Sequence, residues 1–151
     1  MTKINFSSFG QTPIDEDEKQ GLIPSINTLE ELNMWEHENI IEARKWALNS
    51  RVFQLNDIFD VEFLLKLHEK MFNKVWKWAG QFRTSGKNIG CDAYQIRTEL
   101  KNLYNDANYW LEHQTYSTPQ IALVFHHRLV KIHLFANGNG RHARLVADLY
   151  Y

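Results

Sequence analysis

The stretch at residues 131–146, KIHLFANGNGRHARLV, constrains the fold more than any other part of the chain. Apolar residues at helical spacing (Ile121, Leu123, Val124, Phe125, Leu129, Ile132) lead into it. A helical period cannot run on through Asn137-Gly138-Asn139-Gly140, so two helices must meet there at a tight turn. Gly138 and Gly140 allow positive φ and let a ligand approach the main chain. The helix that begins near Gly140 turns free N–H groups and its positive dipole end toward the turn, which suits an anion and phosphate above all. Arg141 and Arg144 lie three apart on one face of that first turn. Cations there oppose the dipole at a cost of a few tenths to about 1 kcal/mol each, and bound phosphates would reverse that cost. His133 closes the preceding helix, and an imidazole is the natural proton acceptor at neutral pH. A histidine, an anion cradle and two arginines in this order describe phosphoryl or nucleotidyl transfer. The competing reading is a common glycine turn beside a solvated arginine pair. Histidines in helical runs are usually structural, and His126, His127 and His142 are read so.

Composition narrows the classes. A chain of 151 residues suits one domain, and 44% hydrophobic with 13% aromatic content is enough for a packed core. A net charge of −1 argues against direct nucleic-acid binding. The single cysteine, Cys91, forbids an internal disulfide, disfavours a cysteine-based zinc site and points to a cytoplasmic setting. The four histidines 126, 127, 133 and 142 raise a metal site as a rival. However, His126 and His127 diverge by about 100° on a helix, and no pair has the i, i+4 spacing of a zinc helix. There is no signal-peptide core and no run long enough to span a membrane, so no membrane association is expected. The helical ending RLVADLYY stops at Tyr151 without a cap, which suggests a truncated chain or a helix packed to its end.

The pattern divides the chain into an N-terminal arm over residues 1–27 and a domain over residues 28–151. The arm carries turn signals at Pro13, Gly21 and Pro24 and an acidic run at 15–18, and either wraps the domain or stays loose. Thr28 with Glu31 forms a capping box, after which Leu32, Trp35, Ile40, Ala43 and Ala47 recur near helical period. A second helix starts after Asn56 or Asp57, with Phe59, Phe63, Leu64, Leu67, Met71 and Phe72 on its apolar face. Glycines 80, 86 and 90, with Phe82 and Ile89, predict a small hairpin around Ser85-Gly86. Further helices start near Thr98 and at Ser117-Thr118-Pro119. The fold class expected is mainly α, a helical bundle with one small β-hairpin before the helices that meet at residues 137–140.

HLFANGNGRHAR resembles the signature of Fic-domain proteins, His-Pro-Phe-x-(Asp/Glu)-Gly-Asn-Gly-Arg-x-x-Arg. His133, Phe135, Gly138, Asn139, Gly140, Arg141 and Arg144 match, while Leu134 and Asn137 depart from it. The resemblance extends over about residues 28–151, and the whole chain, including TPIDEDEKQGLIP, is similar to the branch called mobile mystery protein B. It implies transfer of AMP from ATP to a Ser, Thr or Tyr hydroxyl of a target protein. His133 would be the general base. Gly138, Asn139 and Gly140 would hold the α- and β-phosphates, Arg141 the β- and Arg144 the γ-phosphate, and Phe135 would anchor the loop. Asn137 stands where the family has an acid for Mg²⁺, and an amide oxygen brings no charge. Leu134 in place of proline implies only a small effect on loop rigidity.

The resemblance also makes the hairpin a flap that binds the target by main-chain bonds, here Arg83, Thr84, Ser85, Gly86, Lys87, Asn88, Ile89 and Gly90. Many members carry an inhibitory Ser/Thr-x-x-x-Glu-Gly/Asn helix. Glu38-Asn39 meets half of that pattern, with Met34 at the hydroxyl position, so Glu38 is expected to pair with Arg144. A regulatory partner or a second copy of the chain is compatible with this reading. The alternatives are a weak or inactive nucleotide-binding or interaction module, and transfer of another phosphate-containing group.

Overall fold

The computed structural model describes residues 16–49, 57–86 and 89–151. Its helices among these residues are α1 (Glu16–Lys19), α2 (Leu29–Ala47), α3 (Val61–Phe72), α4 (Ile96–His113), α5 (Thr118–Ile132) and α6 (Asn139–Tyr150). Local chemistry sets most starts. Thr28 caps α2 by accepting from the Glu31 N–H at 3.1 Å, and the Glu31 carboxylate accepts the Asn27 N–H at 3.0 Å. Asp60 caps α3 through the Glu62 N–H at 3.1 Å. Ser117 and Gln120 form a capping box on α5, with Pro119 in the first turn. A 3₁₀ turn over Ala93–Gln95 leads into α4 two residues before the expected Thr98.

The core lies between α3 and the loop that joins α5 to α6. Leu64, Leu67, Met71 and Phe72 of α3 are buried against Leu134 and Phe135 of that loop and Ala143, Leu145 and Val146 of α6. α2 covers α3 from one side, and α5 lies between α4 and α6. The inward row of α2 is Leu32, Glu36, Asn39, Ala43 and Ala47, so two polar residues occupy a face that was expected to be apolar. Trp35, placed on that face by the sequence pattern, is 45% exposed. Asn39 earns its place through hydrogen bonds. Its Nδ2 donates to the Lys70 carbonyl at 3.0 Å and to Asn73 Oδ1 at 3.1 Å, and its Oδ1 accepts the Lys74 N–H at 3.0 Å. Asn39 therefore ties α2 to the C-terminal end of α3, whereas Glu38 beside it is exposed.

Residues 1–15 of the arm lie outside the described residues, as does the Asn56 start. The rest of the arm packs on the domain. Leu22 and Trp76 form an antiparallel β-bridge, with Ile23 N–H on the Val75 carbonyl and Lys77 N–H on the Gly21 carbonyl, each at 2.8 Å.

No strand of the expected hairpin is seen among the described residues of 81–91. The backbone groups of this segment are taken elsewhere. The Arg83 N–H donates to the Leu134 carbonyl at 2.9 Å, and the buried Arg83 guanidinium donates to the carbonyls of Ser85, Cys91, Ile132 and His133. A side chain that spans both limbs of the segment replaces the cross-strand ladder. Lys87 and Asn88 lie outside the described residues. No helix among the described residues is long and apolar enough to cross a membrane.

Replacing Asn39 by Ala leaves the Lys74 N–H and the Lys70 carbonyl without this partner. The expected loss is about 2 kcal/mol in urea unfolding. Glu38→Ala, on the exposed face of the same helix, should stay within about 0.5 kcal/mol. Equal effects would remove the distinction between the two residues.

Candidate active site

α5 ends at His133, which takes a left-handed conformation (φ 61°) as the C-cap and turns the chain into the loop. Non-glycine residues in this region cost about 1 kcal/mol or more and persist only where their surroundings hold them. Here Arg83 Nε donates to the His133 carbonyl, so the guanidinium fixes the peptide that carries the imidazole. The side chain is 4% exposed. Gly90 (φ 87°) lies directly over it: a Cβ at 90 would sit 2.6 Å from His133 Cβ. Only glycine permits that approach.

The loop is closed by Asn139. Its Oδ1 accepts the Phe135 N–H at 2.9 Å, and its Nδ2 donates to the Phe135 carbonyl at 2.8 Å. The side chain assigned to phosphate binding thus holds the loop, and only the main-chain N–H of Asn139 faces the N-terminal end of α6. Phe135 is fully buried and stacks on His68 of α3, with ring centroids 3.6 Å apart and planes 15° apart. Gly138 (φ 78°) caps α6, and a Cβ there would meet the Phe72 ring at 2.5 Å. No side chain bonds the first N–H groups of α6 from this cap. By helix geometry those of residues 139–141 lack an acceptor within the helix, the His142 N–H being the first to bond back, to the Gly138 carbonyl. Gly140 and Arg141 are exposed, and among the described residues nothing lies within 4 Å of where a Cβ at Gly140 would sit, so the first turn of α6 is open at Gly140. This fits a phosphate group.

The two arginines differ. Arg144 is exposed and makes no ion pair among the described residues. Arg141 reaches back to Glu36 on α2, with N–O distances of 3.3 and 3.4 Å, and its guanidinium lies 4.9 Å from the Phe72 ring centre. Glu36 is buried and also accepts the Trp76 indole N–H at 3.1 Å. So the acid that meets the motif is Glu36 rather than Glu38, and it meets the first arginine rather than Arg144. The row Leu32–Glu36–Asn39–Ala43, spaced by four, three and four, was the readable sign of an inward acid.

Asn137 turns its Oδ1 to the Gly138 N–H at 2.8 Å and its carbonyl to His68 Nε2 at 3.0 Å. No group of three or more His, Cys, Asp or Glu side chains among the described residues could hold a metal ion. His142 is buried and its Nε2 lies 2.9 Å from the Leu64 carbonyl, a structural role. Of the expected target-binding residues, Arg83 is buried, and Thr84, Ser85, Gly86, Ile89 and Gly90 are exposed. Leu134, where the signature has proline, is buried and its carbonyl accepts the Arg83 N–H. Glu36, His68 and Phe72, which shape the site, lie far from the motif in sequence.

Burial pushes the His142 imidazole down to about 4, and burial likewise holds His68 well below the usual range. The unfolded chain titrates near 6.5 and so binds more protons than the folded one between these values. The stability this gives is fully present above about pH 6.5 and is lost as pH falls toward 4, by on the order of 3 kcal/mol for His142. The urea midpoint should therefore fall between pH 7 and pH 4.5, and fall less in His142→Gln. A wild-type midpoint flat across this window would contradict the buried neutral rings.

Residues 58–151 match the Fic/DOC family. The protein adenylyltransferase Fic of Aedes aegypti is 28% identical over 119 residues, which are 75% of this chain and 24% of that protein. The Nematostella vectensis protein of the same name is 26% identical over 120 residues, 75% of this chain and 28% of that one. The chain thus spans about a quarter of the length of these relatives. Among solved structures, the BepC effector of Bartonella tribocorum with bound AMPPNP superposes with a TM-score of 0.66 at 21% identity, over 90% of this chain and 78% of that one. The N-terminal Fic domain of a Bep effector from Bartonella sp. AR 15-3 gives 0.68 at 18% identity, over 90% and 73%. With the family match covering more than half of its residues, this chain belongs to the Fic/DOC family.

Proposed function

We propose that the chain is a protein adenylyltransferase that moves AMP from ATP to a Ser, Thr or Tyr hydroxyl of a target protein in the cytoplasm. The observation that carries this reading is the joint between α5 and α6. One loop holds a sheltered imidazole at its start and an open, uncapped helix N-terminus with two arginines at its end. The names of the Aedes and Nematostella relatives support the same activity.

In this reading the N–H groups of residues 139–141 receive the phosphates, and Arg141 and Arg144 neutralise the β- and γ-phosphates. His133 takes the proton of the acceptor hydroxyl. The oxygen forms a bond to the α-phosphorus, and the bond to the β-bridging oxygen breaks, releasing pyrophosphate. Thr84, Ser85, Gly86, Ile89 and Gly90 present the target segment, while Arg83 fixes that segment to the loop. Mg²⁺, when bound, supplies charge neutralisation on the phosphates. Asn137 brings one neutral oxygen that already accepts the Gly138 N–H, so it would hold the ion weakly and the phosphates would have to supply most of its ligands.

Glu36 restrains the reaction, because Arg141 meets the β-phosphate only when it leaves the carboxylate. This contact, with the neutral Asn137, also favours a second reading, a nucleotide-binding module with little transfer.

The test is labelling of lysate proteins with α-³²P-ATP and Mg²⁺. His133→Ala should lose on the order of 10²–10⁴ in transfer rate, and Glu36→Gln should label more than wild type. Label that persists in His133→Ala overturns the assignment of the base. Label that appears only from γ-³²P-ATP assigns a different transferred group. ATP binding without any label supports the binding-module reading.

A further inference from the structure

His68 lies outside the motif and outside the segment expected to bind the target, yet its ring bonds to the loop of the motif and to Gly80, which leads into that segment. It is fully buried on α3. The Gly80 N–H donates to Nδ1 at 2.9 Å. A backbone N–H can only donate, so Nδ1 carries the lone pair. Nε2 then carries the proton and donates to the Asn137 carbonyl at 3.0 Å, since a carbonyl can only accept. One tautomer of the neutral ring satisfies both contacts at once, with its flat face between them. That face stacks on Phe135, and the Phe72 ring lies 4.8 Å away.

The two backbone groups held by the ring are well placed. Gly80 (φ 78°) is where the chain leaves the turn after α3 and heads toward Arg83. The Asn137 carbonyl belongs to the peptide plane that joins Asn137 to Gly138, immediately before the open N–H groups of α6. Rotating that plane would re-aim those donors and shift Gly138 against the Phe72 ring.

We propose that His68 is the positioning residue of the phosphate loop, a two-ended strut that sets the Asn137–Gly138 peptide against Gly80 and thereby registers the α6 donors with the segment over His133. It acts through the loop and touches no substrate. The inference rests on the reading of residues 133–144 as a nucleotide site, and its test has a readout independent of that reading.

Two substitutions separate the ends of the strut. In His68→Asn the amide oxygen stands where Nδ1 stood, keeping the Gly80 contact and losing the Asn137 contact. In His68→Gln the amide nitrogen reaches toward the Nε2 position, keeping the Asn137 contact and losing that to Gly80. Amide hydrogen exchange on the full chain without ligand should show Phe135 and Gly138 exchanging about tenfold faster in His68→Asn, with Gly80 unchanged. His68→Gln should show the reverse. In AMP transfer from α-labelled ATP, His68→Asn should lose about tenfold or more in kcat and His68→Gln much less. Loss of protection throughout the chain in both variants would make His68 a plain core residue and overturn the proposal, as would loop amides unchanged in His68→Asn. If wild type transfers no AMP while the exchange pattern appears, the transferase reading fails and the strut stands.

Discussion

The chain reverses direction inside its own core between His133 and Asn139, and the polar backbone groups left there must find partners away from water. The unusual placements around the loop answer this single demand. Asn139 folds back on both polar groups of Phe135. Arg83 takes the carbonyls of Ile132 and His133, and its own N–H takes that of Leu134. His68 takes the carbonyl of Asn137. Without these partners the orphaned groups would cost roughly 1–3 kcal/mol each, and the imidazole of His133 would have no fixed place.

The same demand shapes the electrostatics. Arg83 is a buried cation whose contacts are carbonyl dipoles, whereas Arg141 finds a carboxylate on another helix. His68 and His142 stay neutral because each lies fully inside the core. Positive charge therefore concentrates at the N-terminal end of α6 and beneath the segment that covers His133, which suits an anionic ligand.

What the sequence showed and what it hid divide by distance along the chain. The caps at Thr28 and Ser117 were legible because each acts on a residue three positions away, and the break at residues 137–140 because glycine and asparagine punctuate a helical period. The loop between α5 and α6, with His133 at its start and the arginines in the first turns after it, was placed by that break. The hairpin, of which no strand is seen among the described residues, was expected because glycines 80, 86 and 90 look like turn residues. Gly80 and Gly90 in fact permit close approaches, to α3 and to His133, and the backbone bonds run to a loop some fifty residues downstream. Glu36 was passed over because an acid on a helix is normally solvated. The inward row of α2 was taken as apolar, although two of its members are Glu36 and Asn39. The helical spacing of that row was a sign of an inward acid, but its partners depend on how α2 lies on α3, which the row does not encode.

The cap of α6 has a consequence for how the fold and a ligand share one set of bonds. Helices usually begin at Ser, Thr, Asp or Asn, whose side-chain oxygen serves the first N–H groups at a gain of about 1 kcal/mol. α2, α3 and α5 of this chain do so, and α6 begins at Gly138 with no such oxygen. α4, which begins at Gln95, lacks such an oxygen too, but it continues directly from a 3₁₀ turn, whereas the first turn of α6 follows a loop and opens at exposed Gly140. An anion seated there would complete the helix in the way a serine completes its neighbours, so binding it would also be the last step of building this helix.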